Sequence, residues 1–182
     1  RAARNEHSVR QRQLTDEASP NVEQRPCRTA HLQLGQTALA IDYLRQAVAL
    51  AEAKGDPLLR AAWRDTLGSA LREAGQVALA TREHEAAIRA LGRGGRQAVR
   101  GRVLLSLARD RADAGDPATA LRGYDEVLAL DLPPGSTVAI RARIGRARAL
   151  AALGRNAAAI ESLDGAIALA AVQELVEEGS FA

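Results

Sequence analysis

LGSALREAGQVALATREHEAAI, residues 67–88, spaces its apolar residues as helices do on both sides of Gly75, yet it carries Gly68, Ala80 and Ala87 where bulky core residues would fit. Short side chains at such places let two helix backbones come close. A glycine between two helical patterns ends the first of them in a left-handed turn. The stretch therefore reads as an antiparallel helix pair folded at Gly75, with Gly68 facing Ala80 near the turn and Ala87 meeting the next pair.

The same unit recurs along the chain. Gly35, Gly75, Gly115 and Gly154 fall into register at spacings of 40, 40 and 39 residues. Five places after each stands alanine: Ala40, Ala80, Ala120 and Ala159. Twelve and thirteen places after it come Ala47-Val48, Ala87-Ile88, Val127-Leu128 and Ala166-Ile167. Seven places before it stand Gly68, Ala108 and Ala147, with Arg28 the exception. A period of this length marks a repeat array, in which each unit buries its apolar face against its neighbours.

Helix ends are written into the sequence as well. Gly55-Asp56-Pro57 and Gly115-Asp116-Pro117 each supply a terminating glycine, an aspartate cap and a proline for the first turn. LPPGST, residues 132–137, breaks the chain again and offers Ser136 or Thr137 as a cap, while GRGG, 92–95, makes a looser break. These signals predict helices near 27–34, 36–53, 57–74, 76–91, 96–114, 117–130, 137–153 and 156–178, with no clear strand. The fold class is all-α, about four antiparallel helix pairs. Residues 1–20 carry no repeat and read as a flexible N-terminal segment or linker, 21–178 as the repeat domain and 179–182 as a tail.

Composition narrows the function. Aromatic residues make up only 2% of the 182, fewer than most enzymes or β-sandwiches of this size need, so alanine and leucine fill the interior. The basic residues are arginines apart from Lys54, and the net charge of +3 is mild, so charge alone does not argue for nucleic acid. Cys27 is the single cysteine, which excludes an internal disulfide and a cysteine zinc site. No apolar run is long enough to cross a membrane. The absence of methionine and the start at Arg1 suggest a piece of a longer, cytoplasmic protein.

Catalytic constellations are scarce. His7, His31 and His84 lie in different segments and read as surface or interface histidines. GRGG lacks the lysine and the strand that a phosphate loop needs. No enzyme, no cofactor and no metal site is expected.

Taken together, Leu67-Gly68, the weaker Leu107-Ala108, and the turn glycine with its following alanine in all four copies resemble the tetratricopeptide repeat family. The length resembles the variant of about 40 residues found in Pins-type adaptors and in the C-terminal regions of bacterial regulators; HEAT-type repeats share the period and are the structural alternative. The resemblance implies a right-handed superhelix whose first helices line a concave, partner-binding groove. Its groove rows would hold Asp65, Ser69 and Arg72 in the second repeat, Arg102 and Arg109 in the third, and Arg141 and Arg148 in the fourth. Arginine thus recurs at matched places as Arg102 and Arg141, then Arg109 and Arg148. The lysines and asparagines of the family's carboxylate clamp are missing there. An acidic protein segment is the expected partner, and nucleic acid on the arginine surface the alternative. From Asn156 onward there are five acidic residues and no basic one, so the positive field is local, and AVQELVEEGSFA, residues 171–182, is expected to cap the stack with a polar face or to dock into the arginine groove of a neighbouring copy.

Overall fold

Asp56 and Asp116 show why helices begin where they do. Oδ1 of Asp56 accepts from the amides of Leu58 at 2.9 Å and Leu59 at 3.2 Å, and Oδ1 of Asp116 accepts from the amide of Thr119 at 3.0 Å. Pro57 and Pro117 then take the first helical position, where a missing N–H leaves no hydrogen bond unmade. At the turns Gly75, Gly115 and Gly154 adopt φ of 74°, 80° and 73°, the left-handed conformation that the repeat register requires of them.

The computed structural model describes residues 36–92, 96–133 and 135–179. Within them are seven helices: α1 Thr37–Lys54, α2 Pro57–Glu73, α3 Val77–Leu91, α4 Gln97–Asp113, α5 Pro117–Leu128, α6 Thr137–Ala152 and α7 Asn156–Gly179. No strand occurs among the described residues. Ser136 does occupy the position before α6, but its side chain makes no capping hydrogen bond. The expected helix near 27–34, Gly35, the N-terminal segment 1–20 and residues 180–182 lie outside the described residues. No helix among the described residues is long and apolar enough to cross a membrane.

Each helix packs on its neighbours in the chain, and the first helices of successive pairs, α2, α4 and α6, also touch one another in order. Those three therefore line one side of the stack, while α1, α3, α5 and α7 form the other. The core is a chain of small clusters. Ile41, Leu44, Leu67, Leu71 and Ala80 close the α1–α2–α3 contact; Ala61, Ala87, Leu91 and Val103 join α2, α3 and α4; Leu104, Tyr124, Val127 and Leu150 fill the last two pairs. Alanines at the repeat positions are fully buried: Ala40, Ala80 and Ala120 are each 0% exposed.

Every junction between pairs also carries an ion pair from a second helix to the next first helix. Glu52 of α1 meets Arg64 of α2, Glu85 of α3 meets Arg111 of α4 at 2.5 Å, and Asp125 of α5 meets Arg146 of α6 at 2.7 Å. Exposed pairs of this kind contribute little stability, about 0–1 kcal/mol each. Their value lies in marking how a first helix sits on the pair before it.

Candidate ligand groove

Gly68 explains the polar half of the groove. A Cβ built there would lie 2.5 Å from Nε2 of His84, so the residue that requires glycine at 68 is the imidazole on α3 and not Ala80. His84 is fully buried, in the register position that Leu44 and Tyr124 fill in the neighbouring pairs. Its Nδ1 lies 2.5 Å from Oδ2 of Asp110, within hydrogen-bond distance, and its Nε2 lies 3.2 Å from the carbonyl oxygen of Asp65. The histidine expected at a surface or interface is instead a core group that ties α3 to α2 and α4.

Around it the charges close on themselves. Arg102 donates from Nε to Oδ2 of the buried Asp65 at 2.9 Å. Nε of Arg72 stands 3.5 Å from Oδ1 of the fully buried Asp110, and its Nη1 3.6 Å from Oδ2 of Asp113. Three carboxylates thus face two guanidiniums and an imidazole, so the charged groups at the α2–α4 end are matched within the protein. Asp65, Arg72 and Arg102, which are expected to line the groove, make these ion pairs within the protein. Ser69 is half-buried on α2.

Farther along, the groove changes character. Arg109 of α4 and Arg141 and Arg148 of α6 are exposed and have no ion-pair partner among the described residues. They border one open pocket of about 460 Å³, with Ala112, Asp113, Ile144, Gly145 and the ring of Tyr124 completing its wall. Gly145 is what lets the ring reach through: any side chain there would overlap the Tyr124 ring. Burial pushes the Tyr124 hydroxyl above the ordinary phenol range, with Arg109 pulling the other way and Asp113 reinforcing the rise. At neutral pH the wall therefore offers a neutral O–H beside three cations. Three guanidiniums against one carboxylate suit an anionic group with several acceptor oxygens.

Arg109, Arg141 and Arg148 are the part of the expected ladder that the fold brings together at one pocket. Asp110 and the partner role of His84 were missed. Asp110 falls five places before its turn glycine, in register with Ala70 and Ala149, both buried. A charge in an apolar column and an imidazole in another column announce a buried pair, and that was the available signal. Among the described residues no group of three or more His, Cys, Asp or Glu could hold a metal ion.

A model of the tetratricopeptide repeat matches residues 29–54. The nearly identical TPR-like repeats of a Podosopora anserina candidate kinesin light chain superpose with a TM-score of 0.70 at 25% identity, covering 82% of this chain and 74% of that one. BtubC (BKLC) from P. vanneervenii superposes with a TM-score of 0.70 at 15% identity, covering 81% of this chain and 62% of that one, and so supports the fold alone. No curated protein matches the sequence.

Proposed function

We propose, from the premise that this chain is a tetratricopeptide-repeat protein, that it is a non-catalytic binding module whose groove takes an acidic segment of a partner protein between α4 and α6. Repeats of this kind generally mediate protein–protein interaction. The observation that carries the reading is the imbalance along the groove: the carboxylates at the α2–α4 end are paired within the protein, whereas Arg109, Arg141 and Arg148 are not. An acidic side chain or a short acidic run would supply the missing countercharge. Nucleic acid is the second reading, favoured by the same arginines and opposed by the wall, where Tyr124 is the single aromatic.

The test uses the full chain, a labelled peptide carrying a run of glutamates, and a labelled thymidine oligonucleotide. In fluorescence anisotropy, replacing Arg109, Arg141 and Arg148 together by Ala should weaken peptide binding on the order of 10-fold, since exposed ion pairs contribute about 0.5 kcal/mol each. A control that removes the same charge by Arg82→Ala, Arg89→Ala and Arg155→Ala should change affinity less than about twofold on the same scale. Equal losses in both would reduce the effect to net charge. Preference for the oligonucleotide would move the assignment to the second reading, and no peptide binding by the unaltered chain would remove the acidic-segment proposal.

A further inference from the structure

We propose that the outer face of α7 is a second docking surface, separate from the groove, that receives an arginine-bearing amphipathic helix of a partner in the way α3 receives α4 and α5 receives α6. The repeat register shows what is missing there. Six, nine and thirteen places after the turn glycine stand Ile41, Leu44 and Val48 in α1, Thr81, His84 and Ile88 in α3, and Leu121, Tyr124 and Leu128 in α5, all buried or half-buried. The same columns in α7 are Ile160, Leu163 and Ile167, and they are 61%, 42% and 68% exposed. One apolar stripe is thus left open on a helix whose other face is packed on α6. Over these positions the outer face of the last helix is apolar.

Charge selects the occupant. Ten places after the turn glycine α3 carries Glu85 and α5 carries Asp125, and each pairs with an arginine of the first helix seated on it, Arg111 and Arg146. The matching residue in α7 is Asp164, exposed and with no ion-pair partner among the described residues. From residue 156 onward the chain has five acidic residues and no basic one. Two copies joined through α7 would set acid against acid beside the stripe, a like-charge contact that costs free energy. A helix with small apolar residues and an arginine opposite Asp164 completes the junction instead.

The chain supplies its own probe. Residues 137–152, the sequence of α6, carry Arg146 and no acidic residue, and their seat on α5 is built from Tyr124 and Asp125, the counterparts of Leu163 and Asp164. A fluorescein-labelled peptide of this sequence should bind the full chain. Asp164→Arg and Ile167→Gln should each weaken it on the order of 10-fold while circular dichroism stays unchanged, because both side chains are exposed. A peptide carrying Arg146→Asp should bind the Asp164→Arg chain better than the unaltered chain. That reversal is the result a merely sticky surface would not give. Undiminished binding to both variants, no reversal, or no binding at all would overturn the proposal. So would sedimentation equilibrium that shows a dimer abolished by Ile167→Gln, which would assign the stripe to a second copy.

Discussion

Gly68 and His84 make a pair whose parts are intelligible only together. An alanine at 68 would gain helix propensity of about 1 kcal/mol, but its Cβ would stand 2.5 Å from the imidazole. Displacing a ring held by Asp110 on one side and the Asp65 carbonyl on the other is an overpacking cost of about 1–3 kcal/mol. Gly68→Ala should therefore lower stability in urea unfolding despite the better propensity. His84→Ala should lower it more, because it removes a fully buried ring and leaves the buried Asp110 beside Arg72 alone at 3.5 Å, and a buried acceptor that loses its partner costs about 1–3 kcal/mol on top of the cavity. In the His84→Ala background the substitution at 68 should become neutral or stabilising, since its obstacle is gone. Additive losses in the double-mutant cycle would show that the ring is not what requires the glycine. The small residue at 68 was legible in the sequence, but the residue it accommodates was not. Register tells which column a side chain occupies, not which of several neighbours its rotamer reaches.

At the scale of single helices the sequence is close to sufficient, because the ends are set by local chemistry. The expected helix at 57–74 is Pro57–Glu73, and that at 137–153 is Thr137–Ala152, each bounded by a glycine, proline or aspartate that acts on its own few residues. The expected helix at 117–130 stops earlier, at Leu128, as the chain loosens ahead of Pro133. The cap at Asp116 gives this local control a pH signature. Hydrogen bonding from Thr119, side chain first and amide second, holds the Asp116 carboxyl below its ordinary value of 3.8. A carboxyl depressed in the folded state adds stability above its unfolded value, and that contribution disappears as pH falls through the lower folded one. Between neutral pH and the unfolded value the Asp116→Asn protein should thus show a constant stability deficit against the unaltered chain, and the deficit should shrink as acid protonates the aspartate. Thermal melts from pH 7 down through the acid range would check it; parallel curves at every pH would mean that the charge of the cap contributes nothing.

The whole molecule joins these local rules into a stack in which each pair touches only its neighbours, so a perturbation in one place stays close to it. That makes the uneven charge of the groove measurable without a known partner. Three cations gathered at the α4–α6 pocket, with the α2–α4 carboxylates already paired, leave the folded state with a local surplus that the unfolded chain disperses. A multivalent anion that binds this surplus and not the unfolded chain stabilises the fold by mass action, by about 2.7 kcal/mol at one hundred times its Kd. In a chain of this size each kcal/mol moves the melting midpoint by about 2–4 °C. Inorganic phosphate should therefore raise the midpoint by a few degrees over chloride at equal ionic strength, and the Arg109, Arg141 and Arg148 triple Ala variant should lose that gain while the outer-arginine control keeps it. Because coupling runs between neighbours, hydrogen exchange should place the added protection in α4, α5 and α6 and leave α1 almost as it was. A gain spread evenly over all helices, or retained in the triple variant, would mark a general effect of the salt and would leave the pocket without a claim on anions.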